Sequence, residues 1–241
     1  MFIFTKSRLK WVWCSITLVI SALILANVTN YFRNVPTPNF LLEKGNLRFS
    51  PLWITSLYMH VIGSSICLAT GPLLMIPRLI RLRKLHKFLG YSYINAVLWV
   101  SIPSGLILSC VAKGGWLASL GFAVTGILWW WATWSGYRAV RNQQLVPHIC
   151  WMVRSYALAL SAVAFRVIQQ LVVYAPISDD ANYIVSLWLS LLASFWFSES
   201  CIRRQFVSDE KRRKIPKWFS LFSQSNTTLA KSKLTLKKQT V

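Results

Sequence analysis

Acidic side chains are nearly absent from this sequence: six Asp and Glu stand against 27 Lys and Arg, a formal net charge of +21 over 241 residues. Charge of either sign is scarce too, at 14% of residues, where a soluble domain carries about 25%. Too few charges remain to clothe a globular surface, so lipid is the expected solvent. Histidine is limited to three residues, which caps any imidazole chemistry. The five cysteines, Cys14, Cys67, Cys110, Cys150 and Cys201, form no CxxC pair and lie within or at the ends of apolar runs. They read as small packing side chains, not as a disulfide framework. Walker loops, a strand-linked GxGxxG, HExxH and GxSxG are missing as well, which removes the common nucleotide, metalloprotease and hydrolase signatures.

What is present is oil. Hydrophobic residues make up 55% of the chain and Trp alone accounts for 13; Trp gathers at membrane–water interfaces. Six stretches approach the roughly 20 apolar residues a spanning helix needs: 11–32, 52–76, 88–111, 116–137, 149–174 and 183–202. The expected fold is therefore all-α, a polytopic transmembrane bundle of about six helices. The first stretch follows Lys6, Arg8 and Lys10 and lacks a small-x-small cleavage site near its end, so it reads as a retained anchor helix.

The basic residues sit in short clusters between the apolar runs, the distribution of topology determinants rather than of a nucleic-acid surface, and no zinc-finger or RNP pattern occurs. No nucleic-acid partner is expected. One side of the bundle receives Lys6, Arg8, Lys10, Arg78, Arg81, Arg83, Lys84, Lys87, Arg138, Arg141 and the tail from Arg203; the other receives Arg33, Lys44, Arg48 and Lys113. The positive-inside rule makes the richer side cytoplasmic. Both termini then face the cytoplasm across the inner (plasma) membrane: a short N-terminus (1–10), the helical domain (11–205) and a basic tail (206–241). In the tail, basic residues beside Trp218, Phe219, Leu221 and Phe222 suit adsorption to anionic lipid.

Ionisable residues inside spans are costly and should face the bundle interior with a partner. Within the fifth span His148, Met152, Ser155, Ala159, Ala162 and Arg166 share a face; within the second, His60, Ser64, Cys67, Gly71 and Met75 do. His60 and Arg166 each lie about 12 Å inside the outer end, at about 1.5 Å per residue, and are expected to line an outer polar site. Arg154 and Glu199 lie about one turn inside the opposite boundary and are expected to pair, which offsets the cost of desolvating each. His86 and His148 both lie near the cytoplasmic ends of their helices.

Histidine pairs on facing helices hold b-type haem in membranes, and histidine is a common axial ligand. With three histidines, at most one bis-histidine site can form. The expected cofactor is haem b, with His86 and His148 as axial ligands, Arg154 neutralising a propionate, and a membrane redox partner. Two other functions fit the same residues: binding or transport of a small anionic or lipid-like molecule with Arg166 as the anion contact, or a structural part in a membrane assembly, where the histidines only satisfy local hydrogen bonds. Gly71-Pro72 and Pro103 are candidate helix breaks, which keeps transport in view.

The sequence resembles the DUF2306 family of predicted bacterial membrane proteins. The resemblance rests on His60-Val61-Ile62-Gly63, Gly71-Pro72-Leu73, Pro77-Arg78, Leu85-His86-Lys87-Phe88-Leu89-Gly90-Tyr91, the block His148 with Trp151-Met152-Val153-Arg154-Ser155-Tyr156-Ala157-Leu158, and Arg166. It spans roughly residues 50 to 205. The family reads His-Arg where this chain has His148-Ile149. The resemblance implies a helical membrane fold and no particular activity. The Leu-His-x3-Gly element also looks like one found near haem in several membrane cytochromes, an analogy that does not establish function.

Overall fold

The computed structural model describes residues 44–174 and 177–204. The 11–32 span, the N-terminus before it and the basic tail lie outside the described residues. Within them a short 3-10 turn, Gly45–Phe49, leads into helix α1, Pro51–Met75. Next come α2, Pro77–Arg81, and α3, Arg83–Ser109. Then follow α4, Gly115–Arg141; α5, Leu145–Val172; and α6, Asp179–Ile202. Five of these, α1 and α3 to α6, are 24 to 28 residues long and apolar enough to cross a membrane. At about 1.5 Å per residue each exceeds a hydrocarbon core of about 30 Å. These match five of the six expected spans.

Local chemistry sets the boundaries. Pro51 occupies the first turn of α1, where its missing N–H costs nothing. Ile76 is extended (φ −73°, ψ 122°) because the residue before Pro77 is held out of the helical region. A second break at Leu82 (φ −82°, ψ 76°) separates the five-residue α2 from α3. Gly114 and Gly115 adopt φ +86° and +70°, left-handed values that suit glycine, in the turn joining α3 to α4. Asp179 and Asp180 open α6, where carboxylates meet the positive end of the helix dipole.

Neither proline breaks its helix. Pro72 sits buried inside a continuous α1. In α3 the residues just before Pro103 wind as a π-helical segment, Ala96–Ser101, closed by the Ile102 N–H on the Val97 carbonyl. Proline has no N–H to give and crowds the carbonyl four residues back; the wide turn accommodates both and the helix continues.

Short links make neighbouring helices antiparallel. α5 packs most extensively on α6 and then on α4, while α1 packs along α3 and touches α5. The buried centre includes Cys67, Tyr93, Val97, Trp129, Tyr156 and Leu191. Glycines mark the crossings. A side chain at Gly63 would strike Ser101 of α3, one at Gly71 the Tyr156 ring of α5, and one at Gly121 Leu187 of α6. One face of α6 is a ladder of Asn182, Ser186, Ser190, Ser194 and Ser198, all buried, and Asn182 donates to the Gln169 carbonyl of α5. Small residues let membrane helices approach closely where no hydrophobic effect drives them together. The opposite faces are oily: Trp99, Trp116, Trp131, Leu192 and Trp196 are exposed, which is costly in water and natural in lipid.

Candidate functional site

At one end of the bundle α2, the start of α3 and the end of α4 carry Arg78, Arg81, Arg83, Lys84, Lys87, Arg138 and Arg141; this is the basic end. His86 and His148 are each the fourth residue of their helices, α3 and α5, and both helices begin there. Two turns further in, Tyr93 of α3 and Ser155 of α5 meet at 2.9 Å. The histidines lie on the same seam as this contact, because 86 to 93 and 148 to 155 are the same seven-residue step, about two helical turns. α4 closes the seam with Thr133 and, one turn nearer the basic end, Gly136.

The inner layer of this seam is a closed chain of hydroxyls. Thr133 Oγ1–H donates to the Trp129 carbonyl at 2.8 Å. Thr133 Oγ1 is 2.7 Å from Ser155 Oγ. Each hydroxyl has one proton, so Ser155 donates to Thr133 and Tyr93 donates to Ser155. Trp129 Nε1–H donates to the Tyr93 oxygen at 3.4 Å. All four residues are buried. The chain ends on a carbonyl, which has no proton to pass on, so it pins three helices together and does not conduct.

In the outer layer, at the basic end, the histidines are less committed. His148 Nδ1–H donates to the Gly136 carbonyl at 2.8 Å. That bond orients the ring and leaves Nε2 with a free lone pair and no hydrogen-bond partner among the described residues. His86 lies within electrostatic range of His148, and its Nδ1 is buried without a partner. A buried ring nitrogen left unpaired is expensive.

Arg154 and Glu199 pair as expected: Arg154 Nε–H donates to Glu199 Oε1 at 2.6 Å, with both side chains about a quarter exposed (26% and 25%). The guanidinium also lies over the Trp151 ring, 4.7 Å from its centroid. Arg154 is thus already neutralised.

At the other end His60 turns to α3. Its Nδ1–H donates to the Ser101 carbonyl at 2.8 Å, and Ser64 Oγ is 3.5 Å from Nε2. Gly105 makes room for the ring, since a side chain there would meet it. Arg166 is exposed and donates to the Ala162 carbonyl of its own helix at 3.0 Å. Its charge reaches His60 electrostatically, but no hydrogen bond joins the two. The sequence reading did not single out the Tyr93–Ser155–Thr133 chain or the serine ladder of α6. The ladder's four-residue repeat was visible in the sequence; the hydroxyl chain needed the helix pairing.

A family model described as "Predicted membrane protein (DUF2306)" matches residues 57–202, more than half of the chain. The chain belongs to the DUF2306 family. No curated protein and no solved structure matches it. The DUF2306 match runs from Leu57, in the second turn of α1, to the last residue of α6, so it covers the seam and all three histidines. The Trp151–Tyr156 block of this DUF2306 chain turns out to be a packing hub. Trp151 stacks on Arg154, Arg154 binds Glu199, Ser155 joins the hydroxyl chain and Tyr156 fills the space above Gly71. The protein is a multi-pass membrane protein.

Proposed function

We propose that this protein holds a b-type haem between His86 and His148 at the basic end and serves one-electron transfer in the inner membrane, with that end and both termini in the cytoplasm. The observation that carries the reading is the His148 Nδ1–H···Gly136 carbonyl bond at 2.8 Å. Metal-ligating histidines almost always donate their second ring N–H to such an acceptor, which fixes the tautomer and raises the basicity of the other nitrogen. His86, with its unpaired buried nitrogen on the same seam, supplies the second imidazole. The donor set suits haem better than a bare ion, since no cluster of three or more His, Cys, Asp and Glu occurs among the described residues. When bound, haem would supply reversible one-electron chemistry.

The chain's own residues divide the remaining work. The hydroxyl chain holds α3, α4 and α5 at a fixed spacing above the histidines. Gly136 lets α5 come close to α4, since a side chain there would meet Met152. Arg154 serves the α5–α6 contact through Glu199. His60, engaged at both nitrogens, stands outside the site.

The test is the absorption spectrum of the full chain purified in mild detergent from haem-replete cells, oxidised and then reduced with dithionite. We expect a Soret band with sharpened α and β bands on reduction, lost in His86→Ala and in His148→Ala and kept in His60→Ala. A colourless protein with full helical circular dichroism would remove the reading.

A second reading has its own observation. Arg166 is exposed at the far end with its charge acting on His60, a cationic spot suited to a small anion or the head of a lipid-like molecule. Stabilisation of the colourless protein by such an anion, lost in Arg166→Gln, would favour it.

A further inference from the structure

The arm formed by α2 and the first turns of α3 carries Arg78, Arg81, Arg83, Lys84 and Lys87 within residues 78–87, and α4 ends with Arg138 and Arg141 at the same end. Among the described residues the acids are Asp179 and Asp180, at the opposite end, and Glu199, which is bound to Arg154. The arm is also amphipathic. At about 100° per residue, Arg83, Lys84 and Lys87 fall on one arc of the first turns of α3, and Leu82, Leu85, Phe88 and Leu89 on the other. Leu82 is 58% exposed and Phe88 68%. Breaks at Ile76 and Leu82 set α2 off from both flanking helices.

We propose that this arm is a binding site for anionic phospholipid, with Arg81, Lys84 and Lys87 on the headgroup phosphate and Leu85 and Phe88 against the acyl chains. Charge complementarity selects an anion. The exposed apolar arc selects a lipid over a free anion, because a soluble phosphate would have no use for exposed Phe88 and Leu85. Basic residues beside a membrane helix attract anionic lipid through a field that fades within a Debye length, so the site is salt-sensitive. The site is independent of haem.

The experiment is native mass spectrometry of the full chain in mild detergent, titrated with phosphatidylglycerol or with phosphatidylcholine of the same acyl chains. We expect phosphatidylglycerol adducts at several-fold lower lipid, and none of that preference after a wash in about 1 M salt, where the Debye length is about 3 Å. Arg81→Gln/Lys84→Gln/Lys87→Gln should lower phosphatidylglycerol retention several-fold, to the level of phosphatidylcholine, and Lys113→Gln, at the other end, should leave it unchanged. Because a neutralised loop can disturb insertion, Leu85→Ser/Phe88→Ser, which keeps every charge, provides a second arm and should also weaken retention. Equal retention of the two lipids by the wild-type chain would overturn the proposal. So would full retention by both variants, or thermal stabilisation by inorganic phosphate equal to that by phosphatidylglycerol.

Discussion

At the scale of single residues, the side chains that carry polarity into the membrane sort by how fully they are engaged. His60 is satisfied at both ring nitrogens, Arg154 by Glu199, and Tyr93, Ser155 and Thr133 by one another. His86 and His148 keep a nitrogen in reserve, and that difference separates candidate ligands from structural polar groups. The Arg154–Glu199 pair was legible in the sequence, since two opposite charges at matching depth in apolar spans have little choice but each other. The His60–Ser101 contact was not, because a backbone carbonyl leaves no trace in sequence. For the ion pair, a double-mutant cycle read by thermal unfolding in detergent should show coupling. Arg154→Ala and Glu199→Ala each strand a charge, and the double variant should recover between about 0.5 and 3 kcal/mol of the summed loss, the partial exposure keeping it below a fully buried pair. Strictly additive losses would mean that the 2.6 Å contact contributes nothing.

At the scale of elements, hydropathy located the spans but not their ends. α3 was expected from residue 88 and begins at Arg83; α5 was expected from 149 and begins at Leu145. The added turn of α3 holds Arg83, Lys84 and Lys87, good helix formers; that of α5 is Leu145–His148, and each added turn carries one of the two histidines. The expected proline breaks were absorbed, one by the π segment before Pro103. Helix crossings depend on single glycines, and these differ measurably. A Cβ at Gly71 would lie 2.1 Å from the Tyr156 ring, whereas one at Gly90 would meet only Leu74 at 4.0 Å. Gly71→Ala should therefore cost about 1–3 kcal/mol through overpacking. Gly90→Ala should be neutral or stabilising by up to about 1 kcal/mol through helix propensity. Equal melting temperatures for the two variants would place α1 elsewhere than against α5.

At the scale of the whole molecule, α3, α4 and α5 of the bundle share a seam, with hydroxyls in the middle and imidazoles at the basic end. Composition made the membrane fold legible, because oily runs and sparse charge admit no other solvent. The seam was legible only in part. Periodicity put His148 and Ser155 on one face of a helix, but nothing in the sequence states which helices are neighbours. The most direct measurement is a crosslink in the full chain with its native cysteines replaced. His86→Cys/His148→Cys should be joined within the chain by a short bismaleimide, as read by mass spectrometry of the linked peptides, while His60→Cys/His148→Cys, whose residues lie at opposite ends, should not. Failure of the first pair to crosslink, or equal crosslinking of both, would contradict the shared seam.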